Sequence, residues 1–229
     1  MKLSIVIPTL DEAGAIEATL AALRPAREHG AEVVVCDGGS RDATRALAAP
    51  LADRVIEAPR GRAVQMNAGA RAATGEALLF LHADTMLPPE AHEAVVRALG
   101  DGYEWGRFDV TIAAADPLLA VVALAMNARS RWTGIATGDQ AMFATRAAYD
   151  ACGGFAEIPL MEDVALSKAL RRRSRPACLR SRVVTSARRW ERRGTVRTIL
   201  LMWRLRLAYA LGADPRGLAR RYDVERTSG

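Results

Sequence analysis

Three segments of this chain place carboxylates directly after an apolar, β-branched run. Leu3–Pro8 leads into Thr9-Leu10-Asp11-Glu12, Val33–Cys36 leads into Asp37-Gly38-Gly39-Ser40-Arg41-Asp42, and Ala77–His82 ends in His82-Ala83-Asp84-Thr85. A fourth acidic group, Glu162-Asp163, opens a helical pattern that closes on Arg171-Arg172-Arg173. Carboxylates accept hydrogen bonds from nucleoside bases and ribose hydroxyls, and they are hard ligands for divalent cations. Beside an alcohol, a carboxylate is also a general base. The same groups repel bare phosphate, and the cradles GxGxxG and GxxxxGK[ST] are both missing. A nucleotide would therefore bind with acids on its base and ribose and a divalent cation over its phosphates.

Each piece also has a purely structural reading. Asp11-Glu12 is favourable charge at a helix start, worth about 0.3–1 kcal/mol. Asp37-Gly38-Gly39-Ser40 is a turn followed by an N-cap, and an aspartate such as Asp84 after a strand is common loop chemistry. Acids first and arginines last suit the dipole of a helix over 162–173. The ordered recurrence of acids at successive strand ends is what points to a site, because ligands of open α/β sheets bind beyond the carboxyl ends of the strands.

The elements that must position these groups alternate. After the strand Leu3–Pro8, residues 12–24 read as a helix with Ile16, Leu20 and Leu23 on one face. Val33–Cys36 is a second strand, Ser40 an N-cap for a helix through Leu47, Arg54–Glu57 a short strand, Ala63–Ala73 a helix and Ala77–His82 a strong strand. Such alternation with short connections predicts an α/β fold with a single doubly wound, mainly parallel sheet. Further on, Trp105–Ile112, Gln140–Thr145 and Leu179–Thr185 read as strands, and Leu118–Arg131, Glu162–Arg173 and Thr195–Leu211 as helices. The expected organisation is one domain over 1–190, with a nucleotide half over 1–100 and an acceptor half over 101–190. A basic helical extension follows over 191–229.

Composition narrows the class. Half of the 229 residues are apolar, enough for a sizeable core. The net charge of +6 hides an asymmetry: residues 1–163 carry 14 basic and 22 acidic side chains, and residues 164–229 carry 18 and 4. The three cysteines are widely spaced without CxxC, which argues against a disulfide framework or zinc knuckle and for a reduced, cytoplasmic setting. The start lacks the pattern of a signal peptide, and Leu118–Met126 is too short to span a bilayer. In the tail, Arg197 and Arg206 fall on different faces, which favours packing against the domain or a partner chain over a membrane surface.

Taken in order, these segments resemble family 2 glycosyltransferases of the GT-A fold. Ile5–Glu12 (IVIPTLDE) resembles that family's opening strand and loop, Val34–Thr44 (VVCDGGSRDAT) its second-strand segment, and Arg60-Gly61-Arg62 with Asn67-Ala68-Gly69 the following helix. Phe80–Asp84 (FLHAD) resembles its metal-binding strand end, while Gly138-Asp139-Gln140 and Glu162-Asp163 match its acceptor-side elements. The likeness runs to about residue 190. The short chain with its HADT and SARRW segments looks most like a compact bacterial subfamily associated with arsenosugar biosynthesis.

The resemblance implies a nucleotide site at Pro8, Thr9, Glu12, Asp37, Gly38, Arg62, His82 and Ala83, with Asp84 as the metal-facing acid. It implies donor and acceptor contacts at Gly138, Asp139, Gln140 and Glu162, and Asp163 as the catalytic base. Arg188, Arg189 and Trp190 resemble the Arg-Trp ending of longer, processive members, and an arginine there would stabilise a departing diphosphate. One position departs from the pattern: the family's Asp-x-Asp is here His82-Ala83-Asp84. Glu162 and Asp163 project about 100° apart on a helix, so one of them faces the acceptor. Trp105 and Trp132 are candidates for core packing rather than sugar stacking.

The implied cofactors are a divalent metal, Mn²⁺ or Mg²⁺, and a nucleotide sugar as donor, a UDP-sugar foremost. The implied reaction is transfer with inversion to a hydroxyl on a small-molecule or lipid-linked acceptor. Peripheral membrane contact and a homo-oligomer are both compatible with the sequence, and no nucleic-acid partner is expected. A nucleotidyltransferase would bring a Gly- and Lys-rich loop after the first strand, where Thr9-Leu10-Asp11-Glu12 stands. An arginine-rich nucleic-acid-binding or scaffold protein would rest on the basic tail, which carries no recognised nucleic-acid motif.

Overall fold

The computed structural model describes residues 1–227; the side chains of residues 189, 192, 193 and 223–227 lie outside that description. In chain order the first half holds β1 (Leu3–Thr9), α1 (Ile16–Ala22), α2 (Arg24–Glu28), β2 (Glu32–Asp37), α3 (Thr44–Ala48), β3 (Arg54–Glu57), α4 (Arg62–Ala72), β4 (Ala77–Phe80), β5 (Thr85–Met86) and α5 (Ala91–Gly100). The second half holds β6 (Trp105–Ala113), α6 (Pro117–Thr133), β7 (Phe143–Thr145), α7 (Arg146–Ala151), α8 (Glu162–Arg173), β8 (Ala177–Ser186), α9 (Arg188–Arg193), α10 (Thr195–Ala210) and α11 (Pro215–Thr227).

All eight strands join one sheet in the order β3-β2-β1-β4-β7-β6-β8-β5. Strands β7 and β5 run antiparallel to their neighbours, and the remaining pairs are parallel. The doubly wound, mainly parallel sheet read from the sequence is therefore present. β2 and β4 are buried along their whole length, as expected of strands covered on both faces. Their side chains alternate between two cores. Ile5, Ile7, Val33, Val35 and Leu79 face Ile16, Leu20, Val95 and Leu99, whereas Val6, Val34, Cys36, Leu78 and Phe80 face Met66, Ala70, Tyr149 and Leu170. Gly69 sets how closely α4 approaches this second face. A Cβ there would lie 2.4 Å from Val6 Cγ1 and 2.5 Å from Cys36 Sγ.

Several boundaries differ from the sequence reading for local reasons. The first helix covers Ile16–Ala22 rather than 12–24, and Pro25 opens the separate α2. Ser40 does not cap a helix. Its hydroxyl donates to Asp37 and accepts from the Asp11 N–H at 2.9 Å, and α3 starts only at Thr44. The expected strand Gln140–Thr145 is a 3-10 turn at Gly138–Gln140 followed by β7. The Gln140 side chain folds back onto Thr137, and Ala141 has φ +43°. The tail is not a free extension: Leu201, Leu205 and Leu218 pack on Met161 and Val164 beside α8. No helix among the described residues is long and apolar enough to cross a membrane.

Candidate active site

The carboxyl ends of β1 and β4 and the start of α4 border an open cleft. Its lining includes Pro8, Thr9, Glu12, Arg62, His82, Ala83 and Asp84, so most of the expected nucleotide contacts converge. Backbone pairing fixes the loops around it. Gly38 N–H donates to Thr9 O at 2.9 Å, and Gln65 Nε2 donates to both Thr9 O and Cys36 O at 2.7 Å. Gly38 is glycine because a Cβ would press on the Gln65 amide at 3.0 Å.

Asp37 and Gly38 depart from expectation, since both are buried and neither lines the cleft. The Asp37 carboxylate accepts from Gly39 N–H and Ser40 N–H at 2.9 Å and from the hydroxyls of Ser40 and Thr9. Four bonds fill its acceptor capacity, so it shapes the loop instead of facing a ligand.

Asp84 faces the cleft and holds a partner already. Arg188 Nη2, at the start of α9, donates to Glu12 Oε2 at 2.7 Å and to Asp84 Oδ2 at 3.1 Å. Hydrogen bonding to Glu12, then to Asp84, holds the Arg188 pKa above its ordinary value against some desolvation. Asp84 offers one hard oxygen ligand. No cluster of three or more His, Cys or acidic side chains among the described residues forms an all-protein cage. This donor set fits a divalent cation that completes its shell from a diphosphate and water. Trp190 lies against Ile112, Leu119 and Ala187 and borders a smaller space shared with Asp84 and Asp139. The Arg189 side chain lies outside the described residues.

A second, smaller cavity adjoins the first, and Arg62, His82, Leu160 and Tyr222 line both. Glu162, Asp163, Gly138 and Asp139 line this one. Met161, at φ +70°, turns the chain into α8 so that the two acids diverge. Glu162 is 2% exposed and bonds Arg62 Nη1 at 3.2 Å. Burial pushes the Glu162 carboxyl up, with the Arg62 charge opposing and Asp163 reinforcing the rise. Desolvation of Arg62 is outweighed by Glu162, Asp163 and Asp139, which hold its guanidinium above the ordinary range. Asp163 is the less buried of the acidic pair. Its Oδ2 accepts from Gly138 N–H at 2.8 Å and its Oδ1 from Val164 N–H at 2.7 Å, leaving each oxygen capacity to accept again.

His82 joins the two cavities. Its Nδ1 lies 3.3 Å from Asp139 Oδ1, and its Nε2 is buried with no hydrogen-bond partner among the described residues. Gly138 lies against that nitrogen, where a Cβ would stand 2.4 Å away. Gln140 departs from expectation: it is fully buried and secures the loop through Thr137 and Asn127 instead of lining either cavity. Trp105 is core, and Trp132 is 92% exposed away from both cavities. Sequence reasoning missed Gln65, Met202, Arg206 and Tyr222, which line the cavities from α4, α10 and α11. For Met202 and Arg206 the signal is an apolar tail helix interrupted by arginines, and Tyr222 lies beyond that helix, in α11.

The sequence model of glycosyl transferase family 2 matches residues 4–119, more than half of the chain. The chain belongs to glycosyl transferase family 2. It is an enzyme family, and solved glycosyltransferases share this chain's architecture. The S. aureus TarS 1–349 structure superposes with a TM-score of 0.66 at 17% identity, covering 82% of this chain and 61% of that one. The mannosyltransferase PcManGT from Pyrobaculum calidifontis, in complex with GDP-Man and Mn²⁺, gives 0.63 at 23% identity, covering 90% and 60%. Glucosyl-3-phosphoglycerate synthase from Mycobacterium tuberculosis, with Mn²⁺, UDP and glucosyl-3-phosphoglycerate, gives 0.59 at 21%, covering 80% and 70%. At these identities the likeness shows the fold, which is GT-A. This family 2 chain spans about 60% of the TarS and PcManGT structures. A comparison with curated protein sequences returns no match.

Proposed function

We propose that this family 2 chain transfers a sugar from a nucleoside diphosphate sugar, a UDP-sugar foremost, to an acceptor hydroxyl with inversion. The observation that carries the reading is the shared wall of the two cavities. The cleft holding Glu12 and Asp84 meets the cavity holding Asp163 across Arg62 and His82. A donor with its diphosphate beside Asp84 would point its sugar toward Asp163. The complexes of similar fold, with UDP or with GDP-Man and Mn²⁺, support a nucleotide-sugar donor and a divalent cation.

In this reading Asp163 takes the acceptor hydroxyl proton as the oxygen bonds to the anomeric carbon and the bond to the diphosphate breaks. A single displacement with one base inverts that carbon. The Gly138 and Val164 N–H groups hold the Asp163 carboxylate in place, and the Glu162–Arg62 pair fixes the start of α8. Asp84 would hold the divalent cation, which would supply positive charge to the departing diphosphate. Arg188 adds a second cation at the same edge.

Asp163→Asn tests the assignment. Nucleoside diphosphate release from the nucleotide sugar should fall by about 10²–10⁴-fold, with calorimetric affinity for the nucleoside diphosphate unchanged. Turnover at the wild-type rate in Asp163→Asn would remove Asp163 from the mechanism.

A further inference from the structure

The chemistry above leaves one set of buried charged donors unused, and it lies beside the acceptor cavity. Helices α6 and α10 are neighbours. Thr195 Oγ1 donates to Asp116 Oδ2 at 3.1 Å near their N-terminal ends, and Arg129 of α6 interacts with Arg206 of α10 further along. Arg206 lines the acceptor cavity with Asp163, and Arg129 is close enough to feel the Asp163 charge. Nε and Nη2 of Arg129 and Nε of Arg206 are buried with no hydrogen-bond partner among the described residues.

Among the described residues, the nearby carboxylates are committed elsewhere. Glu162 bonds Arg62, Asp163 bonds two backbone N–H groups, Asp139 sits beside His82, and Asp109 bonds Arg107 and Arg131. Burial and the like charge of Arg206 pull the Arg129 pKa down to about 10 against the pull of Asp163. Buried charged donors without acceptors are costly to a fold, and their presence calls for a missing partner. Two guanidiniums with open N–H groups match the several oxygens of one oxyanion.

We propose that Arg129 and Arg206 form a subsite for a phosphate group carried by the acceptor. The subsite rests on the glycosyl-transfer reading: the phosphate seats on the two guanidiniums and the acceptor hydroxyl reaches Asp163. The phosphate belongs either to a soluble ester or to a lipid headgroup. The lipid source has structural support, because the same two helices expose Val121, Leu124 and Trp132 on α6 and Leu200, Trp203 and Leu207 on α10.

The test is thermal unfolding of the full chain with inorganic phosphate, after saturating the donor cleft with whichever nucleoside diphosphate binds. Phosphate should raise the wild-type midpoint by about 2 °C or more. The rise should vanish in Arg206→Gln and in Arg129→Gln. Each variant should also unfold above the wild type in phosphate-free buffer, because one of two repelling charges is gone. No rise in the wild type, or an equal rise in both variants, overturns the subsite while leaving donor binding intact. If no nucleoside diphosphate binds, the transfer reading fails, and the phosphate titration alone still reads the subsite. Co-sedimentation with phosphatidylcholine vesicles, with and without phosphatidic acid, separates the sources. Capture by phosphatidic acid that is lost in Arg206→Gln assigns the lipid. A phosphate-induced rise without capture assigns the soluble ester.

Discussion

Arg188 bridges Glu12 and Asp84 at the edge of the donor cleft, and it keeps two carboxylates compatible at close range. Removing it leaves those acids facing each other without a cation, a pair that attracts a divalent ion more strongly. Arg188→Ala should therefore bind Mn²⁺ more tightly than the wild type by calorimetry and turn over more slowly. An arginine that only decorates the surface would change neither. Glu12, Asp84 and Asp163 were legible in the sequence because they follow strands or open a helix at positions where side chains line a cavity. Asp37 and Gln140 have the right chemistry in the right segments, yet their own loops consume them through local hydrogen bonds. Residue type and order carry no record of that competition.

Strands β1 and β4 lead into Glu12 and Asp84, and a buried carboxylate on β2 ties the three strands together. Glu32 Oε2 accepts from Ser4 Oγ on β1 at 2.6 Å and from Thr74 N–H just before β4 at 2.7 Å. Burial would raise its pKa, but the hydrogen bonds of Ser4 and Thr74 outweigh it and hold the carboxyl below its model-compound value of 4.5. A depressed carboxyl contributes stability that is present above 4.5 and lost as pH falls through its folded-state value. Glu32→Gln should cost about 1 kcal/mol in urea unfolding at neutral pH. The difference from wild type should shrink at acid pH below the unfolded value. An equal difference at both pH values would remove the carboxylate's charge from the account.

The buried strands were readable because continuous apolar runs bounded by Pro, Asp or Gly have few other solutions. The short β5 and β7, each two or three residues long, were harder: β5 was missed and β7 was read too long. They exist only through pairing with β8, β4 and β6, contacts distant in sequence.

The charge asymmetry along the chain takes on a structural meaning once the tail is placed. Glu12 and Asp84 stand just after strands β1 and β4, and part of the basic remainder folds back to meet them. Arg188 meets Glu12 and Asp84, and Arg206 with Tyr222 lines the cavity of Asp163. The sequence pattern favours a tail packed against the domain or a partner chain, and it packs on the domain beside the site, because Leu201, Leu205 and Leu218 find their apolar partners on Met161 and Val164. Helical periodicity identified α10 but not the face it buries.

In the proposed mechanism the cleft at the ends of β1 and β4 binds a nucleoside diphosphate with a cation held by Asp84. Thermal unfolding with UDP, GDP, CDP and ADP, each with and without Mn²⁺, tests it most directly. One diphosphate should raise the midpoint in a metal-dependent manner, and Asp84→Ala should abolish the metal-dependent part. A panel in which no diphosphate shifts the midpoint, or one in which Asp84→Ala responds like the wild type, would contradict the account.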